Sequence, residues 1–145
     1  MKYFKFAMVA TIIIAAVSSC TNTTTNTEGT QIETSSSAPR VEVVYFHGKQ
    51  RCLTCRAIER FAKESVDSCF AGNDAVSFKV VDITTSDGGQ IADAYEIAGS
   101  ALLIIKKADG KTSYEDMTTF AFQNARKNTS EFKSGIETKV KKYLN

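Results

Sequence analysis

From residue 40 onward, short apolar runs alternate with amphipathic ones. Val41-Glu42-Val43-Val44-Tyr45-Phe46 is β-branched and aromatic, which predicts a buried strand. His47-Gly48-Lys49-Gln50-Arg51 interrupts it. From about Cys52 to Cys69 the apolar positions Cys55, Ile58, Phe61, Ala62, Val66, Cys69 and Phe70 repeat at helical spacing. Ala71-Gly72-Asn73-Asp74 ends that helix. Val76 to Ile83 predicts a second strand. Asp87-Gly88-Gly89 opens a short helix that runs through Tyr95 and Ile97 and closes near Gly99. Ala101 to Ile105 is an apolar run short enough to be a central strand. Asp109-Gly110 is a hairpin signal, so an antiparallel partner is expected near Thr112 to Asp116.

The last third is less regular. Thr119 to Arg126 admits a short helix. Ser130 to Leu144 predicts a firmer one, capped by Ser130 or Thr129, with Phe132, Ile136, Val140 and Tyr143 or Leu144 on one face. Lys139, Lys141 and Lys142 near its end suit the helix dipole. The predicted order is β-α-β-α-β-β-α, an α/β domain over residues 40–145. Its central sheet is four-stranded and mixed, with flanking helices, because a strand-helix-strand unit implies parallel pairing and the hairpin adds an antiparallel edge.

The first 39 residues do not share this pattern. Lys2 and Lys5 precede an apolar run from Ala7 to Val17, broken only by Thr11. That run is too short to cross a hydrocarbon core, which needs about 20 residues, and fits a secretory signal over residues 1–19. Val17-Ser18-Ser19-Cys20 resembles a bacterial lipobox, in which the cysteine is lipidated. Valine at the first position and serine before the cysteine are mild departures. The alternative is an ordinary signal with a free cysteine nearby. Thr21 to Ala38 is mostly Thr, Ser and Asn, with Glu28, Gly29, Glu33 and one large aliphatic residue, Ile32, so residues 20–39 are expected to be a flexible tether reaching roughly 25 Å. The expected location is the cell envelope, lipid-anchored through Cys20. The lack of an acidic run after Cys20 favours the periplasmic side.

Charge and composition narrow the function. The chain of 145 residues carries 18 basic and 16 acidic side chains. Without Lys2 and Lys5 the balance is zero, which argues against a general nucleic-acid role. Four cysteines are too few for a disulfide scaffold, and one histidine excludes a His-rich metal cage.

The candidate chemistry lies in Arg51-Cys52-Leu53-Thr54-Cys55-Arg56, where a strand gives way to a helix. Unpaired N–H groups and the dipole at a helix start favour a thiolate. Lys49, Arg51, Arg56 and His47 push the same way. A lowered thiol pKa activates the nucleophile. Cys52, at the exposed start, is the expected nucleophile. Cys55, one turn on and on the buried stripe, is the expected resolving thiol. Two simpler readings stand beside this. The pair can be a static disulfide, although so short a loop gives little entropic benefit. A zinc site needs two more ligands, and Cys69 lies about 21 Å along a continuous helix from Cys55. Cys69 is therefore expected in the core. His47 either tunes Cys52, or ligates a metal, or is simply a polar residue at a strand end.

These residues, together with Tyr95-Glu96-Ile97-Ala98-Gly99 and the hairpin, resemble the thioredoxin-like superfamily over about residues 41 to 145. Membership implies thiol–disulfide exchange with exported proteins carrying thiols or disulfides. A narrower resemblance, carried by Tyr45-Phe46-His47-Gly48, Arg51-Cys52 and Phe120-Ala121-Phe122, is to bacterial lipoproteins described as nitrophenyl-compound nitroreductase subunits. No flavin or nicotinamide fingerprint is present, so no cofactor is expected. The family's Trp-Cys-Gly-Pro-Cys is replaced by Arg51-Cys52-Leu53-Thr54-Cys55. Its cis-proline falls on Ser100 or Ala101, since the only proline is Pro39. That loss removes a guard against metal capture. Soft-metal binding, as of copper(I), and a non-catalytic role within a redox complex are therefore the competing functions.

Overall fold

A computed structural model describes residues 38–145. The expected signal, Cys20 and all of the tether but Ala38 and Pro39 lie outside the described residues. The elements are β1 (Arg40–His47), α1 (Leu53–Cys69), β2 (Val76–Asp82), α2 (Ser86–Asp93), β3 (Ala101–Ala108), β4 (Lys111–Asp116), α3 (Thr118–Asn124) and α4 (Thr129–Leu144). The order differs from expectation by one element, because α3 is a helix in its own right.

The sheet order is β2-β1-β3-β4. β1 runs parallel to β2 and antiparallel to β3, with Val43 opposite both Phe78 and Ile104. β3 and β4 are antiparallel. β1 and β3 are covered on both faces, which is why they read as nearly continuous apolar runs. Val41, Val43 and Tyr45 of β1 and Leu102 and Ile104 of β3 face α1, α3 and α4. Val44 and Phe46, with Leu103 and Ile105, face α2. Ile58, Ile104, Phe132 and Ile136 are fully buried in the first layer. Each such side chain contributes about 1.5–3 kcal/mol by leaving water.

The hairpin forms at Asp109-Gly110, where both residues adopt positive φ (51° and 69°). That geometry matches the twist of the flanking strands. Close approach explains Gly88: a Cβ there would run into the Asp82 carbonyl oxygen. Thr85 caps α2 through its hydroxyl, which accepts from the Gly88 amide at 3.0 Å.

Three details depart from the sequence-based expectations. α2 stops before Gly99. Glu96 takes the left-handed conformation (φ 57°), and the amides of Glu96 and Ile97 donate to the carbonyls of Asp93 and Ala92. These paired bonds close a helix end in the way glycine usually does. α4 begins at Thr129 without a side-chain cap. The Thr129 hydroxyl donates backward, to the Ala125 carbonyl.

The third departure is Cys69, which is exposed rather than in the core. The buried face of α1 is Cys55, Ile58, Ala62, Ser65 and Val66, and Phe70 continues it. At its last turn Cys69 meets the polar flank of α4, at Glu137 and Lys141. Ser65 takes a buried place instead, its hydroxyl satisfied by the Phe61 carbonyl at 2.8 Å.

Candidate functional site

The end of β1 and the start of α1 build the site. Cys52 is the N-cap of α1, with extended backbone (φ −73°, ψ 169°). Its sulfur accepts from the Cys55 amide at 3.1 Å. A serine or aspartate oxygen commonly holds this position; here a thiol does. The sulfurs of Cys52 and Cys55 are 2.7 Å apart. Cys52 is exposed, while Cys55 is only 6% exposed and faces the core. Residue 52 is thus open to solvent, and residue 55 reaches residue 52 and the protein interior.

The Cys52 thiol is held below its ordinary pKa. The largest cause is the hydrogen bond from Cys55, followed by amide donation at the helix start. The thiolate form is therefore favoured by local geometry.

The expected electrostatic helpers are arranged differently. Arg51 is ion-paired with Glu59 of α1, so its charge is partly neutralised. Lys49 is exposed on the connecting loop. The His47 Nδ1 lies 3.0 Å from the Gly48 carbonyl oxygen, and its ring stands 6.2 Å from that of Tyr45. His47 is opposite Asp82 in the sheet register. The Asp82 carboxyl is held below its usual range, chiefly by the Thr84 hydroxyl and amide, with smaller help from His47 and Arg51. The structure thus brings Cys52 and Cys55 together, gives Arg51 an acidic partner and leaves Lys49 in solvent. Among the described residues, no group of three or more His, Cys, Asp or Glu is placed to hold a metal ion.

Two polar residues below the pair carry more than their sequence positions suggested. Ser100, immediately before β3, has its hydroxyl 3.8 Å from the Cys55 sulfur. Tyr45 is fully buried in the same cluster as Cys55, and its hydroxyl has no hydrogen-bond partner. The signal was a hydroxyl on the apolar face of β1, two residues from Val43 and so turned toward α1. On the outer side Leu53 is 68% exposed and borders a groove of about 420 Å³ that runs along α1 toward Arg126.

A mixed sheet in the order β2-β1-β3-β4, with a parallel first pair, an antiparallel edge hairpin and two cysteines at the start of α1, decides the architecture. The fold is thioredoxin-like. No family model matches the sequence, and no curated protein matches it. Solved structures similar to it include one described as that of a malarial protein, 17% identical, with a TM-score of 0.45, covering 73% of this chain and 99% of the other. A thioredoxin from Thermus thermophilus is also 17% identical, with a TM-score of 0.41, covering 66% of this chain and 73% of the other. The fold assignment rests on strand order and pairing. The narrower resemblance to nitroreductase subunits finds no support in these comparisons.

Proposed function

We propose that the protein is a thiol–disulfide oxidoreductase, held at the bacterial cell envelope by lipid on Cys20 and acting on exported proteins. The observation that carries the chemistry is the asymmetric pair: an exposed, activated Cys52 whose sulfur lies 2.7 Å from that of a buried Cys55. The Cys52 thiolate attacks a substrate disulfide and forms a mixed disulfide. Cys55 then attacks the Cys52 sulfur, and the substrate leaves as a thiol. Run in reverse, the same steps oxidise a substrate. The anchored, exported location is supported by Lys2, Lys5, the Ala7–Val17 run and Ser18-Ser19-Cys20.

The test is to trap the intermediate. With Cys55→Ala, Cys52 still attacks but nothing resolves the product. Exported proteins then accumulate on the chain in complexes that a reductant releases and that Cys52→Ser abolishes. Absence of such complexes contradicts exchange catalysis.

One observation favours a second reading. The two sulfurs are adjacent and the Cys55 sulfur lies 3.8 Å from the Ser100 hydroxyl, so the pair offers two thiolate ligands to a copper(I) ion. Titration with copper(I) in reducing buffer separates the two: an affinity unchanged by Cys52→Ser rules this site out.

A further inference from the structure

Tyr45 holds a polar atom for which packing gives no reason. Its side chain is fully buried in β1, and its hydroxyl lacks a hydrogen-bond partner. Burying an unpartnered hydroxyl is destabilising, and such groups are rare in folded proteins. Phenylalanine would fill the same space without that cost. The polar groups acting on the hydroxyl are Ser100, Cys55 and, more weakly, Arg51.

Cys55 presents the complementary problem. Exchange requires it as a thiolate, yet it is only 6% exposed. A buried anion needs donors. Its own amide is committed to the Cys52 sulfur. Besides the Cys52 thiol, the Ser100 hydroxyl lies 3.8 Å from its sulfur, and Tyr45, with its unpaired hydroxyl, packs in the same buried cluster as Cys55. We propose that Tyr45 is the hydrogen-bond donor that stabilises the Cys55 thiolate, its hydroxyl being free in the resting thiol state and engaged when that thiolate forms. This rests on the exchange reading above.

Tyr45 acts as a donor and not as a base. Burial pushes its pKa up to about 12, so the phenol keeps its proton at neutral pH. During resolution the Cys55 thiol loses its proton to solvent. An electron pair on its sulfur forms the bond to the Cys52 sulfur. The bond between Cys52 and the substrate breaks, and that pair leaves on the substrate sulfur, which takes up a proton from solvent. The cysteine pair is oxidised by two electrons and the substrate disulfide is reduced by the same two. In reverse, Cys55 is the leaving thiolate, and a stabilised thiolate leaves faster.

The test uses the full chain with Cys20→Ser and Cys69→Ser, so that only the pair reacts. Dithiobis-nitrobenzoate releases one coloured thiolate when Cys52 attacks and a second when Cys55 resolves. Tyr45→Phe is expected to leave the first release unchanged. It should slow the second on the order of tenfold at neutral pH and raise its pH midpoint by about one unit. The melting temperature should stay level or rise, since an unpartnered hydroxyl has gone. A second release with the parent's rate and midpoint overturns the role of Tyr45 alone. A slower second release with an unmoved midpoint also overturns it, since that is a packing effect. A parent chain that never gives the second release overturns it together with the exchange reading.

Discussion

The sulfur of Cys52 lies 2.7 Å from that of Cys55, yet only Cys52 is open to solvent. One helical turn produces both facts. Cys52 caps α1 from outside its first turn. Cys55 is the first residue of the stripe that continues through Ile58 and Ala62 into the core. Solvent access and contact with the core are thereby divided between two residues of one motif.

That division predicts an order of chemical modification. In the reduced native protein, a thiol reagent should label Cys52 and Cys69 first, because both are exposed, and Cys55 only after unfolding. Mass mapping of briefly labelled protein checks this. Protection of Cys69 would contradict its place on the polar flank of α4.

The lowered Cys52 pKa gives a pH dependence. Its alkylation rate should reach half-maximum below the range of a free thiol, about 8.5. The folded value lies below the unfolded one. The thiolate's contribution to stability is therefore complete above the ordinary thiol range and is lost as pH falls through the lowered value. Denaturant unfolding of the reduced chain against Cys52→Ser should show a gap that widens as pH rises. The gap should be small, because Cys52 is exposed. A constant gap contradicts the assignment.

Tyr45 predicts the opposite trend in alkali. Its folded pKa is raised from 10.0 to about 12 by burial. Its contribution is whole below pH 10, and stability falls as pH climbs from there through about 12. Tyr45→Phe should remove part of that alkaline loss. Identical alkaline unfolding profiles for the two chains would count against a buried phenol.

Much of the fold was legible because local and long-range signals agree. Ala101 to Ile105 reads as a central strand from its apolar run, and both faces are indeed covered. Asp109-Gly110 marks the hairpin because few other pairs tolerate two left-handed residues. The cysteine pair was legible from its place between a strand and an amphipathic stripe. Features set by tertiary contact were not. Cys69 lies on the helical stripe, but the sequence does not say that α1 ends beside Glu137 and Lys141. Arg51 looked like a free cation until folding brought Glu59, eight residues on, against it. Tyr45 looked like ordinary strand core, and only the fold places its hydroxyl with Ser100, 55 residues later.

Gly88 offers a stability test remote from the chemistry. Gly88→Ala drives a Cβ into the Asp82 backbone, which must move at the end of β2. The expected cost is about 3 kcal/mol, the upper end for forced overpacking. Denaturant unfolding measures it. A cost under about 0.5 kcal/mol, the level of an ordinary surface change, contradicts this contact.

The reduction potential of the Cys52–Cys55 pair tests the central claim most directly. The chain, with Cys20→Ser and Cys69→Ser so that only the pair reacts, is equilibrated in thiol buffers of defined ratio. Exchange catalysis predicts a reversible two-electron couple between about −270 and −120 mV, the range of known exchange proteins. A couple well below about −300 mV, as in structural disulfides, or failure of the pair to form a disulfide at all, would contradict the account.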